Sequence, residues 1–266
     1  MPADTIHPVL QQPDKIDVPV WRYMDFAKYV SLLRSGALHF ARLDQMEDSF
    51  EGSLTKAEYE SIATTACAGE AKGDLPPEWK GRYLDVLLGS ARNMRRSCYV
   101  SCWHMNEHES EAMWRLYSQS TFAIALKSTY SKLRDTLPTL NDRGVYLGPF
   151  MGKVTYVDHF TQQLPRGNAL VPVMNKRPSF AHERECRALI WRPEPDKHLF
   201  HPDPESLLSA YPTGIEVKLD LDALVEAIVV SPLAPKWFAE SVLDVTKRYE
   251  RKWIVEQSCL AAKPYI

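Results

Sequence analysis

A helical stripe flanked by two short strands constrains this chain more than any other feature. In VPVWRYMDFAKYVSLLRSGALHFARL, residues 18–43, Val18–Met24 reads as a strand, and Phe26, Tyr29, Val30 and Leu33 then fall at i, i+3, i+4 and i+7. Asp25 stands where it can accept hydrogen bonds from the free amides of the first helical turn. Gly36 stands where a left-handed residue ends the helix, and Ala37–Leu43 reads as a second strand. A strand–helix–strand unit of this kind needs a sheet to lie on.

The rest of the chain supplies one. Ala57–Ala68 and Glu78–Arg96 read as helices separated by the loop GEAKGDLPP. CYVSCWH is rich in residues that suit a pleated surface, and the helix Glu107–Ser118, the strand Phe122–Lys127 and the short helix Ser131–Leu137 follow it. Further strands are expected at Gly144–Leu147, Lys153–Val157, Glu185–Trp191, Ile215–Leu219, Ala227–Val230 and Ile254–Leu260, with a Pro/His/Asp loop over Pro193–Pro212. Phe238, Val242, Val245 and Tyr249 share one face of the helix Pro235–Arg251, which suits a right-handed crossover in a closing β-α-β unit. The expected fold is a single α+β domain over residues 18–266 with mixed or antiparallel central sheets, a helical insertion at about 54–97 and a C-terminal β-α-β. Residues 1–17, with Pro2, Pro8 and Pro13, read as a flexible N-terminal arm.

Composition narrows the function. With 32 basic against 34 acidic residues in 266, the chain lacks the charge of a nucleic-acid coat, although a local basic cleft remains open. Hydrophobic residues at 45% and charged residues at 25% exclude disordered and fibrous classes. The five cysteines form no C-x-x-C pair, the N-terminus has no basic start followed by an apolar core, and no apolar run approaches the roughly 18 residues that span a bilayer. The expectation is a cytoplasmic protein with reduced thiols and no membrane partner.

Three segments carry candidate chemistry. DQMEDSFEG, residues 44–52, places four acids together, so Asp48 and Glu51 are the weak metal alternative, against helix capping in a solvated turn. SCWHMNEHESEAMWRLYS, residues 101–118, puts Ser101 and Trp103 on a strand and Trp114 and Tyr117 on the next helix. Rings at such a junction make a flat-walled slot for a planar group, or they pack the helix onto the sheet. Cys98, Cys102, His104 and His108 imitate a zinc site at a spacing that matches no standard pattern. In KRPSFAHERECRALIW, residues 176–191, alternation puts Glu183 and Glu185 on one strand face, able to stabilise positive charge or accept a proton, or else matched to Arg187 and Lys176. VVSPLAPKWF lacks the glycines of a phosphate loop. Arg92, Arg95 and Arg96 with Lys176 and Arg177 form a candidate basic track.

These segments together resemble a bacterial family known only as domain of unknown function number twenty-nine seventy-one. Its members have a tyrosine-bearing first strand, an acidic Asn-Asp-Pro-Phe-Glu turn, a Met-Trp helix ending in tyrosine and a Glu-x-Glu-x-Arg strand. Here the turn is Met46-Glu47-Asp48-Ser49-Phe50-Glu51, with serine in place of proline, the helix Met113–Tyr117 and the strand Glu183–Arg187. The order of elements also resembles ADP-ribosyltransferases and their split sandwich. That second resemblance implies NAD as substrate and no metal. It implies phosphate on Arg22, the nicotinamide ribose supported by Ser101, and stacking on Tyr23, Trp103, Trp114 or Tyr117. It further implies that Glu185 stabilises an oxocarbenium-like state and that Glu183 prepares the acceptor. Ser101 is followed by Cys-Trp-His, where that superfamily has Ser/Thr-x-Ser. The functional readings are a toxin or phage-defence effector modifying nucleic acid or protein, with an antitoxin or regulatory partner; a metal-dependent hydrolase or nuclease; and a non-catalytic nucleotide- or protein-binding domain.

Overall fold

The computed structural model describes residues 5, 7–73, 75–117, 120–142, 144–165, 168, 170–193, 211–262 and 264. The first half holds β1 (Pro19–Asp25), α1 (Phe26–Ser35), β2 (Ala37–Arg42), α2 (Lys56–Lys72), α3 (Tyr83–Ser97), β3 (Cys98–Met105), α4 (Glu111–Tyr117), β4 (Ala123–Thr129) and α5 (Tyr130–Thr136). Short strands follow: β5 (Leu140–Asp142), β6 (Val145–Gly148), β7 (Phe150–Lys153), β8 (Thr155–Tyr156) and β9 (Asn175–Lys176). The chain closes with β10 (Glu185–Trp191), β11 (Gly214–Lys218), α6 (Leu221–Leu224), β12 (Ala227–Val230), α7 (Lys236–Arg248) and β13 (Ile254–Gln257). The fold is α+β, built on one large mixed sheet. Most of the Pro193–Pro212 segment lies outside the described residues.

Sheet order is β11-β2-β3-β1-β4-β12-β13, with β10 on the other edge of β3 and β7 beyond it. Neighbouring pairs are antiparallel except β12 and β13, which run parallel around α7 as the closing β-α-β requires. β10 follows β3 in register from Glu185↔His104 to Trp191↔Cys98. The opposite edge of β3 is divided. β2 takes Val100 and Tyr99, β1 takes His104 and Met105, and the described ladders leave Ser101–Trp103 between them. β1 therefore splays from β2 while staying paired with β4 through Asp25.

Burial follows from this division. The apolar stripe of α1 packs with α7 on one sheet face, where Tyr29, Leu33, Phe40, Trp103, Ile124 and Val242 share a core, and Tyr29 and Thr246 meet by their hydroxyls at 2.6 Å. On the other face α4 covers Trp21, Tyr23 and Ala125 with Met113 and Trp114. Gly36 ends α1 at φ 60°, as its position predicts, and its N–H reaches the Leu32 carbonyl. Asp25 sits at the N-cap, but its side chain makes no capping bond. Residues 7–13 are not a free arm. Leu10 is buried, Lys153 donates its backbone N–H to Gln11, and the Gln12 amide spans the Leu10 and Met151 carbonyls while accepting from the Tyr130 hydroxyl. Apolar Leu10 fills a core gap that proline-rich flanks do not advertise. No helix among the described residues is long and apolar enough to cross a membrane.

Candidate functional site

Where β1 and β2 part, a cleft of about 530 Å³ opens, within the size range of small-molecule sites. Arg22, Tyr23, Trp103, Tyr117, Glu183 and Glu185 line it, so six of the eight expected catalytic and cofactor-binding residues border one hollow. Arg22 sits at the split. Its Nη1 donates to Ser101 Oγ at 2.9 Å and its Nη2 to the His39 carbonyl at 2.9 Å, so β1, β2 and β3 are pinned by one guanidinium. The same group lies 5.8 Å from the Trp103 ring centre, within cation–π range. Both hydrogen bonds go to neutral acceptors, and among the described residues no carboxylate lies within ion-pairing distance of Arg22. Burial lowers its pKa, and the nearby Glu216 carboxylate acts the other way.

The opposite wall is built from carboxylates. Glu183 ends a 3-10 turn over Pro178–Glu183, Arg184 takes a left-handed φ of 40°, and the strand begins only at Glu185. The two acids are therefore not alternate residues of one strand, as their spacing predicts. The left-handed residue turns the chain so that both still converge on Lys176. Lys176 Nζ lies 2.5 Å from Glu183, 3.1 Å from Glu51 and 3.3 Å from Glu185. Arg187, fully buried, reaches Glu185 at 2.7 Å, Glu51 at 2.6 Å and the Val173 carbonyl at 2.6 Å. Tyr117 donates its hydroxyl to Glu183 at 2.8 Å. Three carboxylates thus share two cations, which leaves one negative charge in excess. Burial alone raises the Glu185 pKa, but the Arg187 guanidinium and the Lys176 ammonium beside it hold it down to about 2. Burial likewise opposes the charge on Lys176, and Glu185, Glu51 and Glu183 more than restore it. Glu185 is a permanent anion at neutral pH, suited to stabilising a cation and unsuited to taking a proton.

Several expectations are corrected here. Ser101 is fully buried and does not line the cleft; it lies behind the wall, accepting from both Arg22 and the Trp103 indole N–H. Trp114 also lies outside the lining. It is 3% exposed, packs edge-on against Tyr23 at 4.9 Å and donates to Glu109, so its ring supports Tyr23 and offers no stacking surface. Asp48 and Glu51 hold no metal position. Asp48 is gripped at both oxygens by Arg177, and Glu51 by Lys176 and Arg187. The basic track does not form either, since Lys176 and Arg96 are buried, Arg95 is half-buried and Arg177 is spent on Asp48, leaving Arg92 exposed. Of the zinc imitation, Cys98 sits in a core cluster and His104 Nδ1 donates to the Glu183 carbonyl at 2.5 Å.

Residue-by-residue reading misses Lys28, His39 and Glu216, which line the cleft with Arg22, while the bracing by Lys176 and Arg187 is the alternative that it left open. Lys28 has one weak signal, its place on the polar side of the α1 stripe. His39 and Glu216 have none, because their meeting depends on β11 joining β2.

No family model matches the chain, and no curated protein does. Among solved structures it is similar to Thermus sp. 2.9 DarT in complex with NAD+, at 12% identity over 94% of this chain and 98% of that one, with a TM-score of 0.41. It is also similar to the same protein in complex with ADP-ribosylated ssDNA, at 12% identity over 94% and 97%, with a TM-score of 0.38.

Proposed function

We propose that the cleft binds NAD and that the chain is an ADP-ribosyltransferase-like enzyme, acting on nucleic acid or protein as a toxin or phage-defence effector. One observation carries the reading: unpaired cations and an excess of negative charge border the same cleft from different elements. Arg22 and Lys28, neither ion-paired among the described residues, border the cleft from β1 and α1, and a buried cluster with one negative charge in excess borders it from β9 and β10. NAD carries the matching charges, an anionic diphosphate and a cationic nicotinamide ring. Tyr117 supplies an open ring face, and the buried Tyr23 and Trp103 border the cleft behind the surface.

In this reading Arg22 and Lys28 meet the phosphates, which orients the ring toward Glu185. The nicotinamide–ribose bond breaks with its electron pair on the nicotinamide nitrogen, the acceptor nucleophile bonds to the ribose carbon, and the acceptor's proton passes to Glu183. Glu185 contributes a fixed charge where positive charge develops, already desolvated and already braced by Arg187. An activity that consumes NAD fits a cytoplasmic location with all five cysteines reduced, and one that harms its host calls for an antitoxin partner.

A second reading, binding without turnover, is favoured by one fact: both oxygens of Glu183 and both of Glu185 already accept from the chain's own donors. Nicotinamide release separates the two. The purified chain, offered single-stranded DNA, double-stranded DNA, RNA and a protein lysate with NAD, is expected to release nicotinamide with at least one acceptor, and Glu185→Gln to abolish it. Binding of NAD with no release from any acceptor supports the second reading; no binding at all ends both.

A further inference from the structure

The topology fixes an order across the sheet. β10 with Glu185 lies on one side of β3, and β2 with His39, then β11 with Glu216, lie on the other, with Arg22 bridging β3 and β2 between them. Glu216 and His39 face each other across the β11–β2 pair, and both line the cleft. Glu216 Oε1 meets His39 Nδ1 at 3.0 Å, while its other oxygen has no hydrogen-bond partner among the described residues. Gly214 shapes this corner, because a Cβ there would stand 2.3 Å from the His39 ring. A side chain at that position would turn the imidazole and release Glu216. The His39 carbonyl also holds Arg22, so guanidinium and carboxylate are joined through a single residue.

We infer that Glu216 is the specificity residue of the cleft: its free oxygen accepts from a ribose hydroxyl of the dinucleotide half beyond Arg22, and its charge rejects a phosphate ester there. This rests on the NAD reading and deepens it. With the nicotinamide directed to Glu185 and the diphosphate on Arg22 and Lys28, the adenosine half extends toward β11. A carboxylate suits the vicinal hydroxyls of an unmodified ribose, since it only accepts hydrogen bonds. A 2′-phosphate brings about two negative charges to the same place. Arg22 and Lys28 serve the diphosphate that NAD and NADP share, so Glu216 is what tells the two apart.

The test is calorimetric titration of the whole chain with NAD and with NADP at low ionic strength, because the Glu216 side chain is 51% exposed and salt screens it. The wild type is expected to bind NAD about tenfold or more tightly than NADP. Glu216→Gln, a substitution at an exposed position that leaves melting unchanged, is expected to erase most of that ratio by strengthening NADP. Glu216→Lys is expected to invert it. Equal affinities in the wild type, or a ratio that survives both substitutions, overturns the inference while the NAD reading stands. Binding of neither dinucleotide removes the NAD reading and this inference with it.

Discussion

The guanidinium of Arg22 donates to the Ser101 hydroxyl across 2.9 Å, between residues 79 positions apart in the chain. Ser101 also accepts from the Trp103 indole at 3.1 Å, so one buried oxygen holds two cleft-lining groups. Ser101→Ala leaves both donors without this acceptor and is expected to cost about 1–3 kcal/mol of stability. It also loosens Arg22, so NAD affinity should fall several-fold. Denaturant melts and titrations of the same preparation check both effects; unchanged affinity would show that Arg22 is held by His39 alone.

The excess charge of the buried cluster separates two substitutions that look alike. Glu185→Gln leaves two carboxylates for two cations, so the chain should stay folded and lose less stability than when a cation is removed. Turnover should nevertheless fall by about 10²-fold or more, because the fixed charge is gone. Lys176→Met leaves three carboxylates around Arg187 alone and is expected to cost about 3–5 kcal/mol, as breaking a buried ion pair does. Thermal melts of the pair decide it: a collapse of Glu185→Gln comparable to Lys176→Met would make Glu185 a structural strut.

The same cluster sets an acid limit. Glu185 has a folded pKa of about 2, below its ordinary value of 4.5. A depressed carboxylate contributes stability that is complete above the unfolded value and is lost as pH falls toward the folded one. Stability is therefore expected to decline between about pH 4.5 and pH 2, and Glu185→Gln should flatten that decline. Melting temperature against pH for both proteins measures it.

Trp114 and Tyr117 should part company. Trp114→Ala opens a cavity behind Tyr23 and is expected to cost about 3–5 kcal/mol, whereas Trp114→Phe should leave NAD affinity unchanged. Tyr117→Phe removes the hydroxyl from Glu183, and because that side chain is 42% exposed, turnover should change more than stability. A loss of affinity in Trp114→Phe would return the indole to the ligand wall.

What the sequence discloses follows from how local each signal is. The α1 stripe with Gly36, and the crossover around α7, are carried by neighbours within one element, and both appear where their spacing puts them. The gathering of Arg22, Trp103, Tyr117, Glu183 and Glu185 was legible as a set of suitable chemistries. Their ion pairing with Lys176 and Arg187 was legible only as an alternative, because sequence does not say which cations share a pocket. The Glu183–Glu185 alternation misled because Arg184 is left-handed, a conformation no propensity assigns to arginine. Ser101 and Trp114 misled because polar and aromatic types suit a wall and its backing equally well. Glu216 was invisible, since its meeting with His39 depends on strand pairing across 177 residues of chain.

Everything proposed for this chain requires that one cleft, bordered by Arg22 and Glu185, takes NAD. Calorimetric titration of NAD into the wild-type chain and into Arg22→Gln tests it most directly. A single site is expected in the wild type, weakened about tenfold or more in the variant, with melts showing the variant folded. Heats no larger than dilution in the wild type, or equal affinity in the folded variant, would contradict it.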